Sequence, residues 1–523
     1  MSATRLVLVG LALGRVASAQ TPHLGTTDFP NSGAPAAQPA FIRGLLLLHS
    51  FEYSSAAAAF QEAERIDPGF VMAYWGEALT YTHPVWNQQD VPAARAALAR
   101  LAPTAAARRA KAPTARERAY FDAVETLYGN GTKAARDTAY SRSMGRLVAR
   151  FPADLDAKVL YAASLLGLNQ GERDTVTYLR AAAILEQVFR MAPSHPGAAH
   201  LLIHCYDDPG HARLGLAAAR AYSGIAPDAP HAHHMTTHIF LALGMWDDVV
   251  SQNEIAAGPD RASWTPTHYT YWLGYGYLQQ GRYGQALRHL ELLHDNMALG
   301  HGNVPALLTE MCGDYVVTTE RWNSECLGWD IDLSGMRTRD KALGAFLTGY
   351  TALKRGDRGT AERQVAVIAS LAPPLPKSLP RAQRGGEGDG GRGRVPGDPV
   401  PYILERELRA VLLRAQGDTA GAVAALRQAA ALEDAMPFEF GPPVTVKPSH
   451  ELLGEVLLQA GRAREAEVEF TRALALAPRR TRSLMGLARA GTTAADQPTA
   501  ARASADLKAI WHAADPDVLA TVR

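Results

Sequence analysis

Cysteine is scarce in this chain of 523 residues: Cys205, Cys312 and Cys326 are all there are. Three cysteines exclude a disulfide-built scaffold, and their spacing matches neither a cysteine zinc site nor a haem-attachment run. Excess charge is lacking too, because 53 Lys and Arg stand against 52 Asp and Glu. A near-neutral chain has no basic footprint for nucleic acid, so that class of partner is excluded. No apolar run after the first residues is long enough to span a bilayer. Period-two alternation of apolar and polar residues, the mark of half-buried strands, is also missing. Hydrophobic residues at 47% with only 20% charged residues exclude bulk disorder.

The beginning of the chain has the pattern of an export signal. Arg5 supplies a positive start, Leu6 to Gly14 an apolar stretch, and Ala17-Ser18-Ala19 a small-residue cleavage site before Gln20. Residues 1–19 are therefore expected to be removed, and the mature protein to be periplasmic or secreted. In that oxidising setting Cys312 and Cys326 can pair. Residues 20–36, with their Pro, Gly and Ser, read as a flexible lead-in.

From residue 37 the chain is rich in Ala and Leu with helical periodicity, and it repeats. Gly44 is followed by Leu47, Ala56, Phe60, Ala63 and Pro68; Gly454 is followed by Leu457, Ala466, Phe470, Ala473 and Pro478 at identical offsets. Gly274 and Gly349 begin partial copies, and Pro103, Pro152, Pro193 and Pro227 end further ones, the last two 34 residues apart. Small residues let two antiparallel helices approach, large apolar ones fill the seam, and proline stops the second helix. One such pair cannot bury its apolar face, so neighbours must stack.

The pattern resembles the tetratricopeptide repeat (TPR) family, whose period is 34 residues. The resemblance implies an all-α, right-handed superhelical solenoid of about ten helix pairs with a concave inner groove. We divide it into an N-terminal array at 37–373, a linker at 374–400, a C-terminal array at 401–514 and a tail at 515–523. The linker holds seven Gly and five Pro. Within it Gly386, Gly388 and Gly391 match a dinucleotide-binding fingerprint by chance, with no strand before them and no helix after. Residues 301–341 fit the repeat poorly. The final repeats are regular and read as structural or as a docking surface for a partner.

In the family, the groove is lined by repeat positions 2, 5, 9, 12 and 13. His49 and His83 fall at position 13, 34 residues apart, and Trp75 at position 5. His200 and His204 occupy positions 5 and 9, and so do His234 and His238 one repeat later. His231 and His268 fall at position 2 and Asp207 at position 12. Histidines four apart share one helical face, and packed helices lie roughly 8–10 Å apart. Four imidazoles from two such helices can converge on one metal, so His200, His204, His234 and His238 are the expected ligands. Asp207 is either a further ligand or the acceptor that fixes an imidazole tautomer. An imidazole set suits zinc, copper or iron rather than calcium or magnesium. His49, Trp75, His83, His231 and His268 are expected along the groove, and the aromatic run Trp264 to Trp272 can cap a ligand pocket.

Three functions follow: a metal-binding solenoid with a histidine-lined groove, a scaffold that binds a peptide or partner protein through the groove or the C-terminal repeats, or a binder of a small molecule or carbohydrate along the aromatic wall. No nucleophile, carboxylate dyad or phosphate loop is evident, so any enzymatic activity would depend on the metal.

Overall fold

The computed structural model describes residues 22–169, 173–300, 302–372 and 398–521. The proposed export signal and the glycine fingerprint lie outside these residues. Apart from a two-residue antiparallel ladder, Thr82–His83 with Gln88–Gln89, the regular structure described is helical. Consecutive helices pack as antiparallel pairs that stack along the chain. This is the TPR-like solenoid that the repeats require.

The repeat offsets have a direct steric cause. A Cβ on Gly44 would sit 2.8 Å from the Phe60 ring, and one on Gly76, in the next repeat, 2.4 Å from it. Gly454 and Gly486 stand in the same relation to Phe470, at 2.9 and 2.2 Å. Each Phe is thus clamped between its own pair and the following one, and any larger residue at the glycines would force the helices apart. The early array is irregular because its second helices are long: Lys133–Arg150 and Thr175–Met191 run to 18 and 17 residues. The poor repeat match near 301–341 also has a cause. Helix Val304–Thr319 is followed not by a partner helix but by a loop with a short turn at Glu325–Gly328. A Cys312–Cys326 disulfide ties that loop to the helix.

Two expectations about domain layout need correction. Residues 22–36 are not a flexible lead-in. Leu24 and Phe29 are buried, and Phe29 sits among Phe41, Trp75 and Tyr120. The amide and hydroxyl of Ser32 both donate to Glu117. Apolar anchoring and side-chain acceptors give this extended backbone the partners it would otherwise take from water.

Nor are the C-terminal repeats a separate array. They fold back onto the turns of the middle helices. Trp511 Nε1 donates to the Gln279 carbonyl at 2.9 Å, Thr481 N to Gln279 Oε1 at 2.9 Å, and Trp246 Nε1 to the Arg479 carbonyl at 3.1 Å. Two turn glycines permit the contact. Gly244 (φ +65) and Gly281 (φ +69) both need the left-handed backbone, and a Cβ on them would lie 2.6 and 2.8 Å from Arg479 and Ala514. The 515–523 tail is docked as well, over its described part. Asp515 accepts from Gly284 N at 2.7 Å, and Val518 is buried.

Arg480 holds this closure. It is 1% exposed, donates to Glu451 at 2.9 Å and to Tyr275 Oη at 2.9 Å, and so joins helix Ser449–Gln459 to helix His268–Gln279. Lys447 Nζ also donates to Glu451 at 3.0 Å, so the carboxylate keeps one cation when Arg480 is removed. Arg480→Met is expected to lower the unfolding free energy by about 1.5–3 kcal/mol, the worth of a hydrogen bond to a charged group, read by urea denaturation. A loss below about 1 kcal/mol, the scale of a surface pair, would show that the pair does not secure the closure.

Candidate functional site: a buried imidazole cluster

Helices Pro196–Tyr206 and Pro230–Ala242 run side by side, each opened by a proline that supplies a preset φ where no amide donor is needed. Their facing sides carry His200, His204, His231, His234 and His238, all buried. The groove expected from the repeats is closed at this level. Phe51, in the turn after His49, wedges in from one side with its ring 4.2 Å from His200 and 5.7 Å from His204. It holds a left-handed φ of +57, a strained conformation for a bulky residue. From the other side Phe440, on the loop that follows the helix ending at Asp434, lies 5.1 Å from His238.

The predicted ligand set divides. His200 and His204 converge with His231 rather than with His234 and His238, one nitrogen from each of the three lying within 4.8 Å of the others. The reason is register: His231, at the start of its helix, reaches back over the turn to the Pro196–Tyr206 helix, with its ring 5.0 Å from that of His200. His234 and His238 face each other instead, Nε2 to Nε2 at 3.2 Å. Asp207 does not join the trio; it accepts from His238 Nδ1 at 2.6 Å and fixes that tautomer.

The tautomers follow from the partners. His200 Nδ1 lies 2.7 Å from the His49 carbonyl, which can only accept, so Nδ1 carries the proton and Nε2 the lone pair. Asn253 donates through its amide nitrogen to the Val249 carbonyl and to Thr237, so its Oδ1 accepts from His234 Nδ1 at 3.0 Å. His234 and His238 therefore present lone pairs to each other. Two nitrogens about 2.0–2.1 Å from one tetrahedral ion would be roughly 3.3 Å apart, so this separation also suits a shared cation or proton. His200 Nε2 and His231 Nε2 have no hydrogen-bond partner among the described residues. Burial pushes the His200 imidazole down to about 3. His231 and His234 are held well below the usual range by burial and then by neighbouring imidazoles, His200 for the first and His268 for the second. These rings are neutral at pH 7, the form that ligates metals.

The remaining groove residues scatter. Trp75 is core, stacked on Phe29 at 5.6 Å under the docked N-terminal segment, and so forms no groove wall. His83 stands apart, its ring 3.9 Å from Tyr53, with Trp86 between it and His231. His49 is buried beside Asp156. His268 is half-buried, with its ring 4.6 Å from His234, and it borders a cavity also lined by Glu310, Arg337, Arg339 and Glu439. In that cavity burial, then the charge of Asp314, pushes the Glu310 carboxyl up to about 8. The aromatic run does cap the cluster: Tyr269 stacks on His234 at 3.9 Å and Trp272 lies 4.5 Å from His238. Cys205 is buried with its thiol pushed up by burial, as a core residue.

Sequence reasoning missed Asp156 and His195. The signal for His195 was present: it occupies the N-cap of helix Pro196–Tyr206, where Ser, Thr, Asp or Asn belongs, and its side chain makes no cap bond.

Buried neutral imidazoles give a defined acid response. An unfolded histidine takes up a proton near 6.5, whereas folded His200 does so only at about 3. The unfolded state therefore binds more protons as pH falls from 6.5, and stability drops across that window. With a chelator present, the thermal midpoint is expected to fall between about pH 6.5 and pH 5, and His200→Gln to flatten the slope. A midpoint that is constant over this range would contradict the burial of neutral rings.

No family model and no curated protein matches the chain. Among solved structures it is similar to the Cut9–Hcn1 hetero-tetramer of the APC/C, with 13% identity, 89% of this chain and 78% of that chain covered, and a TM-score of 0.33. It is likewise similar to yeast Tom70 (12% identity, 88% and 96% covered, TM-score 0.33) and to the human IFIT1 dimer with m7Gppp-AAAA (12%, 93% and 92%, TM-score 0.35). The fold, with its paired helices and glycine–phenylalanine clamps, is that of a TPR-like helical-repeat scaffold.

Proposed function

We propose that this chain is an exported TPR-like scaffold that binds a transition metal through His200, His204 and His231. The convergence of those three buried nitrogens carries the reading. The His49 carbonyl orients His200 in the way that outer partners orient ligating imidazoles. An all-imidazole set favours zinc, copper or iron, and the rings of Phe51 and Tyr222 pack against His200. Residues 1–19 support export, and the Cys312–Cys326 bond agrees with an oxidising compartment. Should an activity exist, the metal would supply it by polarising a bound group. The histidines themselves would bind and orient the ion.

A second reading is a protein-interaction scaffold. Its support is the cavity beside His268, whose Arg337, Arg339 and Glu439 offer both charge signs to a polar peptide segment.

Equilibrium dialysis of the full-length protein against zinc or copper, with metal counting, tests the first reading. The double variant His204→Gln/His231→Gln is expected to bind one ion fewer. Its affinity should fall by more than the roughly 10–100-fold seen when only an outer partner is lost. Equal uptake by both proteins would sink the metal reading and leave the scaffold reading standing.

A further inference from the structure

A second group of metal-ligating side chains lies on the far side of His49. His49 ends helix Gln38–His49, Asp156 stands in the first turn of helix Leu155–Leu166, and His195 caps helix Pro196–Tyr206. One donor atom from each lies within 4.8 Å of the others, and all three are buried, at 4, 0 and 1% exposure.

The polar bookkeeping of the group is incomplete without a ligand. Asp156 Oδ1 is 2.8 Å from His49 Nε2, and Oδ2 accepts from Thr27 Oγ1 at 2.6 Å. His195 Nε2 comes to 3.4 Å from Asp156 Oδ1 but is misaligned, and neither His195 ring nitrogen has a hydrogen-bond partner among the described residues. A buried imidazole with one nitrogen unmatched and the other held only by a long contact is rare in native cores and costly. The backbone makes room for this arrangement: a Cβ on Gly197 would lie 2.5 Å from His49 Nδ1. The start of a helix favours an ionised carboxylate, the form that ligates. His49 also lines a mostly apolar cavity shared with Phe51, Tyr53 and Tyr140.

We propose that His49, Asp156 and His195 form a second divalent-cation site, separate in donor chemistry from the imidazole trio. Two imidazoles and one carboxylate make a harder set than three imidazoles, suited to iron(II), manganese(II), cobalt(II) or zinc. The site does not depend on metal binding by the trio. The two are joined through one residue, because the ring of His49 serves this site while its carbonyl orients His200.

The test is cobalt(II) stoichiometry on the full chain by anaerobic equilibrium dialysis, using wild type, Asp156→Asn/His195→Gln and His204→Gln/His231→Gln. Wild type is expected to bind two ions and each double variant one. Thr27→Val, which alters no ligand, should weaken the second site by on the order of tenfold, as loss of an outer partner does; this arm stands if the double variant fails to fold. Loss of an ion in the Asp156/His195 variant but not in the His204/His231 variant would uphold this site and overturn the trio. The reverse pattern would overturn this site and spare the trio. A wild type that binds no cobalt would overturn both, and a Thr27→Val affinity equal to wild type would count against this one.

Discussion

An imidazole buried in a helical core needs a partner for each nitrogen. The cost of leaving one unmatched is about 1–3 kcal/mol. That constraint shapes the middle of this molecule more than the repeat fold does. Where the partners are protein groups, they are strong and directional: Asp207 for His238, Asn253 for His234, the His49 carbonyl for His200. Each such bond consumes Nδ1 and leaves Nε2 pointing inward. The Nε2 lone pairs then gather where no protein donor meets His200 or His231 among the described residues. At the equivalent positions of the C-terminal repeat stand Glu451 and Glu455, whose carboxylates accept from Lys447, so a polar pair takes the place of the imidazoles.

The closure of the array is what imposes this constraint. An open concave groove would hydrate these nitrogens at no cost. Instead Phe51 covers one side, and the loop bearing Phe440 and Gly441 covers the other. Gly441 takes φ +103 so that its backbone can lie against Trp272, where a Cβ would come within 2.8 Å of the indole. The loop is held there because Arg480, Glu451 and Gln279 lock the C-terminal repeats to the middle helices. Stability in one part of the chain thereby keeps water out of another.

Much of this was legible in the sequence, for physical reasons that can be named. The offsets from Gly44 and Gly454 encode the glycine–phenylalanine clamp, which is local to adjacent helix pairs, so they fixed the solenoid. The pairs His200/His204 and His234/His238 follow from the helical period and do share a buried surface. What the period could not supply was any contact between distant segments. His231 replaces His234 and His238 beside His200 and His204 because of how two helices are offset along their axes. His49, Asp156 and His195 meet only because the first helix packs against the one that begins at Pro196. The docking of residues 22–36 was hidden by their composition, since Pro, Gly and Ser describe extended backbone without saying whether it is anchored. Phe29 and Leu24 were the legible exceptions.

The most direct test is a crystal of the full chain grown with zinc or copper, with anomalous diffraction recorded at the metal edge. The account predicts an anomalous peak about 2.0–2.2 Å from one nitrogen each of His200, His204 and His231, with His200 Nδ1 still bonded to the His49 carbonyl. Three rings in their present places with no peak between them, at a metal concentration that saturates the protein, would contradict it.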